Sequence, residues 1–367
     1  MVLAGTRAGL FRVGDTGGRW SAECLLATDK PIMSLAVDAS GETVCVGFYQ
    51  GGMCASADGG RSWRPIGADL PYQDVRTLAL HPTDPQTIYA GTEPAALYVS
   101  HDGGQRFEEL TAVRTHPAAR DWAFPIRPKL GHVRTLAFHP DDAQTFYVGI
   151  EVGSLLKTTD GGETFSEAPD CGHDIHRALV LDDPAHTVLV TTGLDTNAYK
   201  HTGYEGLFRS GDGGAHYAQS NTGLGVYKYC EDAICAEPGR PQRVYLATAR
   251  GIPPYWASMT RMVLGAAFGT FAYFVTPSRL RRRSGAEVVL FASDDAGASW
   301  QRLETQGLPT PLFDMVWALA VAPDPGRPRL YLGTTGGDLF VGEPGGQAWH
   351  KALSGLPIIT QLHALAA

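Results

Sequence analysis

The chain has 367 residues, 44% of them hydrophobic and 19% charged, with a net charge of −8. That composition supports a large core, and with no basic tract it argues against a nucleic-acid partner. The longest apolar run, 262–275, is too short and too glycine-rich to cross a bilayer, so no transmembrane segment is expected.

The opening MVLAGTRAGLFRV reads as a strand rather than a signal peptide. Cys24, Cys45, Cys54, Cys171, Cys230 and Cys235 are scattered, with no CxxC pair. Reduced thiols and a cytoplasmic protein are the expectation.

In chain order, VLAGT is followed by the turn VGDTGGRW at 13–20. The turn then recurs as SADGGRSW (56–63), SHDGGQRF (100–107), TTDGGETF (158–165), SGDGGAHY (210–217), SDDAGASW (293–300) and VGEPGGQAW (341–349). In such a string Ser and Asp bond local backbone amides, Gly takes positive φ, and the aromatic packs beneath. Three strands precede each full turn; one blade shows them as VRTLALHP, TIYAGT and ALYVS, and the next as VRTLAFHP, TFYVGI and SLLKT. The first unit lacks its inner strand, while the chain ends in QLHALAA, an inner strand without a unit.

The expected fold is therefore all-β: a single seven-bladed β-propeller of four-stranded antiparallel blades, closed by the C-terminal strand pairing into blade 1. The blades read as 1–29 with 361–367, 30–72, 73–115, 131–170, 173–220, 230–305 (with an insertion over 250–287) and 313–354.

The repeated turn resembles the Asp-box, or BNR repeat, of the sialidase-like and glycosyl hydrolase-like propellers. That resemblance covers the whole chain and implies the fold. Sialidases, xyloglucanases, sortilin-type receptors and a photosystem assembly factor share such turns, so activity does not follow from them. The sialidase arginine motif (F/Y)RIP is absent, and FPIRP at 124–128 has the wrong order and place. The chain departs from a true sialidase there.

Segments 108–131, 194–205, 218–229 and 250–287 lengthen the repeat. All are connections that leave a blade on the face opposite the Asp-box turns, over blades 3 to 6. Loops gathered on one face of a rigid scaffold point to function.

Aligning the inner strands on their Leu-Ala pair gives two rings at the mouth of the channel. The polar members are Asp74, Arg76, His132, Arg134, Asp174, His176 and Glu231, with His363 from blade 1. Second-strand ends add Arg7, Tyr49, Glu93, Glu151, Asp195 and Arg250. A structural salt-bridge ring would use the same residue types.

As a site, Glu93, Glu151, His132, His176 and Asp174 are the candidate proton-transfer groups. Arg76, Arg134, Asp74, Trp122, Phe124, Arg127, Arg250, Glu231 and His363 are the candidate substrate-binding groups. The expected activity is that of a hydrolase or lyase on an anionic small molecule or sugar, with no cofactor. A propeller scaffold binding a protein or peptide on that face is the alternative. A metal-dependent enzyme using His132, His176 and His363 is a further one, and Cys171 and His173 are additional ligand types nearby. The 250–287 insertion reads as a lid.

Overall fold

The computed structural model describes residues 1–124, 129–193, 205–251, 286–323 and 328–366. Within them the strands form seven four-stranded sheets, each an antiparallel up-and-down blade. The C-terminal strand Ile359–Ala364 pairs with Val2–Thr6, so the first blade combines both ends of the chain. Arg127, Asp195 and nearly all of the 250–287 insertion lie outside the described residues. Among the described residues no helix is long and apolar enough to cross a membrane. All six cysteines are free.

Seven buried apolar clusters hold the ring together, one at each junction between neighbouring blades. The second strand of each blade is nearly all apolar because it is covered on both faces, as in Phe146–Glu151. Two glycines let neighbours approach. A Cβ on Gly91 would lie 2.5 Å from Val133 of the next inner strand, and one on Gly149 would lie 2.6 Å from Ile175. β-Branched residues of each inner strand thus sit directly on the preceding blade.

The repeated turn has the geometry its residues call for. Ser56 Oγ accepts from the Gly60 N–H at 2.8 Å, and Asp58 Oδ1 accepts from the N–H groups of Arg61 and Ser62 at 2.9 Å. Trp63 Nε1 donates to Leu25 O of the preceding blade at 3.0 Å. Ser100, Thr158, Ser210 and Ser293 repeat the serine or threonine contact. The turn at 13–20 is a plain two-residue hairpin through Gly17 and Gly18, with Asp15 opposite Trp20.

Each inner strand also carries a β-bulge, and its position matters for function. The register slips around Met33, Arg76, Arg134, His176 and Trp317, the inner-ring residues of blades 2, 3, 4, 5 and 7. Two blades differ from the sequence alignment. In blade 6, Cys230 faces Thr248 and Ile234 faces Leu246, so the bulge holds an extra residue and both Glu231 and Asp232 stand at the ring. In blade 1 the slip falls at Thr360, between Ile359 and Gln361, so Thr360 takes the ring position. His363 sits three residues further along, opposite Leu3.

Candidate functional site

The bulges aim the ring residues of blades 3 to 6 at one another. In blade 3, Asp74 lies directly across the ladder from Glu93. Arg76 lies between them, with Nε 2.9 Å from Asp74 Oδ1 and Nη2 2.6 Å from Glu93 Oε2. Its guanidinium carbon stands 5.1 Å over the Tyr49 ring. Blade 4 repeats the pattern, with His132 opposite Glu151. His132 bridges two blades, its Nδ1 3.3 Å from Glu93 Oε2 and its Nε2 2.8 Å from Glu151 Oε2.

Arg134 carries the chain of charges onward. It lies 3.3 Å from Glu151, 3.4 Å from Glu231 and 2.8 Å from Asp232. His176 closes it, with Nδ1 2.8 Å from the Cys230 carbonyl and 3.4 Å from Glu231. Its Nε2 is 3.7 Å from Asp174. Tyr229 donates to Glu231 at 2.7 Å. Tyr229 and Asp232 were missed by sequence alignment; two adjacent acids in a strand one residue too long were the available signal.

The network joins six carboxylates to two arginines and two histidines. It is therefore acid-rich even with both imidazoles charged. Carboxylates already hold both arginines, although Arg76 Nη1 is buried without a hydrogen-bond partner.

Crowding sets the protonation states. Burial alone would raise Glu151, but Arg134 and His132 outweigh it and hold this carboxyl well below the usual range. Burial and the Glu151 and Glu231 charges push Asp174 up to about 6, against the pull of His176. Burial would lower His176, yet Glu231, Asp174 and Glu151 together raise it to about 9. His132 is raised in the same way by Glu151 and Glu93 against its burial. Burial raises Asp74, with Arg76 opposing. Glu93 is lowered: burial opposes, but His132 and Arg76 prevail.

Gly193 makes room for the most open acid. It follows Thr192 at the level where blades 3 and 4 carry Glu93 and Glu151. A Cβ there would lie 1.9 Å from Asp174 Oδ2 and 3.1 Å from His176 Cε1. The Asp174 side chain keeps 22% of its surface, against 11% for Glu151.

The remaining candidates lie apart from this network or at its rim. Phe124 stands 5.6 Å from the His132 ring. Trp122 is turned inward, buried beside Gly131 and Gly153, with Nε1 3.4 Å from Ser154 Oγ. It anchors the blade 3 insertion over blade 4. Arg250 is exposed and lies 3.4 Å from Glu287. His363 is pushed down to about 4 by burial and by Arg177, away from the other histidines. For a metal, Glu151, Asp174 and His176 each offer a ligand atom within 4.8 Å of the other two; that group does not include His132 or His363. A cavity of about 820 Å³ lies on the opposite face, lined by Glu237, Arg240, Arg243, Tyr245 and Asp294 among others. Its arginines are paired with Glu237 and Asp294.

No family model matches the chain. It is 27% identical over 267 residues to a xyloglucanase of Hypocrea jecorina (strain QM6a), covering 69% of this chain and 28% of that protein. The solved GH74 xyloglucanase of Xanthomonas campestris superposes with a TM-score of 0.67 at 16% identity, over 96% of this chain and 52% of that one. The structure of YCF48 bound to D1 peptide superposes with a TM-score of 0.55 at 16% identity, over 91% of this chain and 86% of that one. These structural likenesses show the fold. The chain spans under a third of the curated relative and about half of the xyloglucanase structure.

Proposed function

We propose that this propeller is a glycoside hydrolase acting on a neutral sugar chain at the channel mouth of blades 3 to 6. One observation carries the reading. Glu151 and Asp174 place carboxyl oxygens within 4.8 Å of each other, yet their surroundings drive their protonation in opposite directions. Such a divergent pair supplies an ionised nucleophile and a protonated acid together. The short separation favours a retaining course, in which the pair stands about 5–5.5 Å apart.

In this mechanism Asp174 gives its proton to the departing glycosidic oxygen. Glu151, kept ionised by His132 and Arg134, attacks the anomeric carbon. Asp174 then takes a proton from the water that hydrolyses the glycosyl ester. His176, beside Asp174, holds that carboxyl in place. The engaged state of Arg76 and Arg134 favours a neutral sugar over an anionic substrate. The sequence similarity to a xyloglucanase supports the same class.

The test is turnover of xyloglucan oligosaccharides and aryl β-glucosides. Glu151→Gln and Asp174→Asn should each lower kcat by about 10²–10⁴, and NMR of the first product should show a retained anomer. Absence of wild-type turnover on every β-glucan and aryl glycoside tried would refute the proposal.

A second reading is a scaffold that binds a peptide on this face. The ion-paired state of both arginines and both histidines favours it, since such a network serves rigidity. In that case Glu151→Gln leaves peptide capture intact, and there is no turnover to lose.

A further inference from the structure

On the face that carries the repeated turns, opposite the channel mouth, blades 4 and 5 bring together three side chains with no part in the network above. His139 follows the inner strand His132–Phe138, Asp141 lies two residues on, and His186 lies in the corresponding turn of blade 5. The two imidazole centroids are 4.1 Å apart, with planes tilted by 50°. His186 Nε2 is 3.6 Å from Asp141 Oδ2. His186 Nδ1 is buried and has no hydrogen-bond partner. Each of the three residues offers a ligand atom within 4.8 Å of the other two.

The repeats within the chain separate what the turn needs from what it does not. In blade 3, His81 Nδ1 accepts from the Thr83 N–H at 3.4 Å. In blade 4, His139 Nδ1 accepts from the Asp141 N–H at 3.2 Å. A histidine here is thus a turn residue in both blades. Asp141, however, replaces Thr83, and His186 replaces Gln86 and Gln144. His186 takes a left-handed backbone that histidine tolerates, but neither altered side chain hydrogen-bonds within its own turn, and the two meet.

We propose that His139, Asp141 and His186 form a binding site for one divalent transition-metal ion of the zinc class. Two imidazoles and a carboxylate are the donors such borderline ions prefer, and solvent at the exposed Asp141 side completes the shell. A tetrahedral ion with ligands at about 2.0–2.1 Å needs donors roughly 3.3 Å apart, so the side chains must close by about 1 Å, which rotation about χ1 and χ2 provides. If the ion takes His139 Nδ1 it displaces one backbone N–H; if it takes Nε2, the ring proton moves to Nδ1.

Tag-free, metal-stripped protein titrated with Zn(II), and with Co(II) followed by visible absorption, tests the site. One ion per chain with micromolar or tighter affinity is expected. Asp141→Thr, the blade 3 residue, and His186→Asn, which tolerates the left-handed backbone at φ 44°, should each weaken binding at least tenfold. Asp174→Asn should bind as the wild type does. Long-range ¹H–¹⁵N imidazole spectra of the wild type, which need no variant, should show His139 and His186 perturbed by Zn(II) ahead of the other histidines. Absence of binding up to 1 mM ion, unchanged affinity in both variants, or perturbation confined to His132 and His176 overturns the proposal.

Discussion

Arg134 of blade 4 reaches across blade 5 to Asp232 of blade 6, with Nη2 2.8 Å from Oδ2 and Nε 3.3 Å from Oδ1. One guanidinium therefore ties non-adjacent blades across the channel, and it also faces Glu151 and Glu231. Removing it leaves Asp232 without its cation and Glu151 and Glu231 with only a histidine each. Arg134→Met should cost about 3–5 kcal/mol at pH 7, read by urea denaturation. Adding Asp232→Asn should recover part of the loss. A cost below about 1 kcal/mol would show the pairing to be energetically idle.

His176 and Asp174 make stability fall as pH rises. His176 is raised from 6.5 to about 9, so the stability it contributes is complete below 6.5 and gone above about 9. Asp174 is raised from 3.8 to about 6, so the fold favours its neutral form and that contribution is lost between those values. Denaturation at pH 6.5 and at pH 9 should differ by on the order of 1–3 kcal/mol. His176→Gln should flatten the difference; an equal slope in that variant would assign it to other groups. If Asp174 is the acid of the proposed hydrolysis, turnover should also decline above about pH 6.

Gly193→Ala isolates the space around Asp174. The new Cβ would overlap Asp174 Oδ2, so the carboxylate must move. Turnover should fall at least tenfold, while stability falls by about 1–3 kcal/mol. Gly14→Ala, whose Cβ would meet only Met1 at 3.8 Å, should leave turnover unchanged. Equal turnover in both variants would remove Asp174 from the chemistry.

The architecture was readable in the sequence because the Ser-Asp-Gly-Gly turn repeats as a unit and each copy closes one hairpin. The inner ring was readable in blades 2 to 5 and 7, where one bulge recurs at one offset. Blade 6 broke the alignment because an extra residue enters the bulge, which displaces Ala233 from the ring and admits Asp232. In blade 1, QLHALA matches the Leu-Ala pattern in a register that hydrogen bonding does not use. Period-two patterning fixes which residues share a face but not where a bulge falls. The mutual neutralisation of Arg76 and Arg134 by carboxylates was likewise hidden, since it depends on side chains separated by up to 98 positions.

The turn serine is the part of the repeat best suited to a stability measurement. Ser56 is buried, and its Oγ accepts from Asp58 N–H and Gly60 N–H. Ser56→Ala strands the buried Gly60 N–H and should cost about 1–3 kcal/mol, measured by thermal and urea unfolding. Ser56→Thr should recover most of it, because Thr158 does the same work in blade 4. Loss of less than about 0.5 kcal/mol in the alanine variant would make the glycines, not the hydroxyl, the source of the turn's stability.

Thr360 bonds at once to Gly5 O at 3.1 Å and to Ile32 O at 2.7 Å. The blade that holds Val2–Thr6 is thus completed late, since its inner edge waits for a segment translated more than 350 residues later. Until then Val2–Thr6 exposes an unpaired backbone edge to a neighbouring nascent chain, the ordinary seed of intermolecular pairing. Yield in the cell should therefore respond to translation speed and chaperone supply more steeply than the stability of the closed ring would suggest.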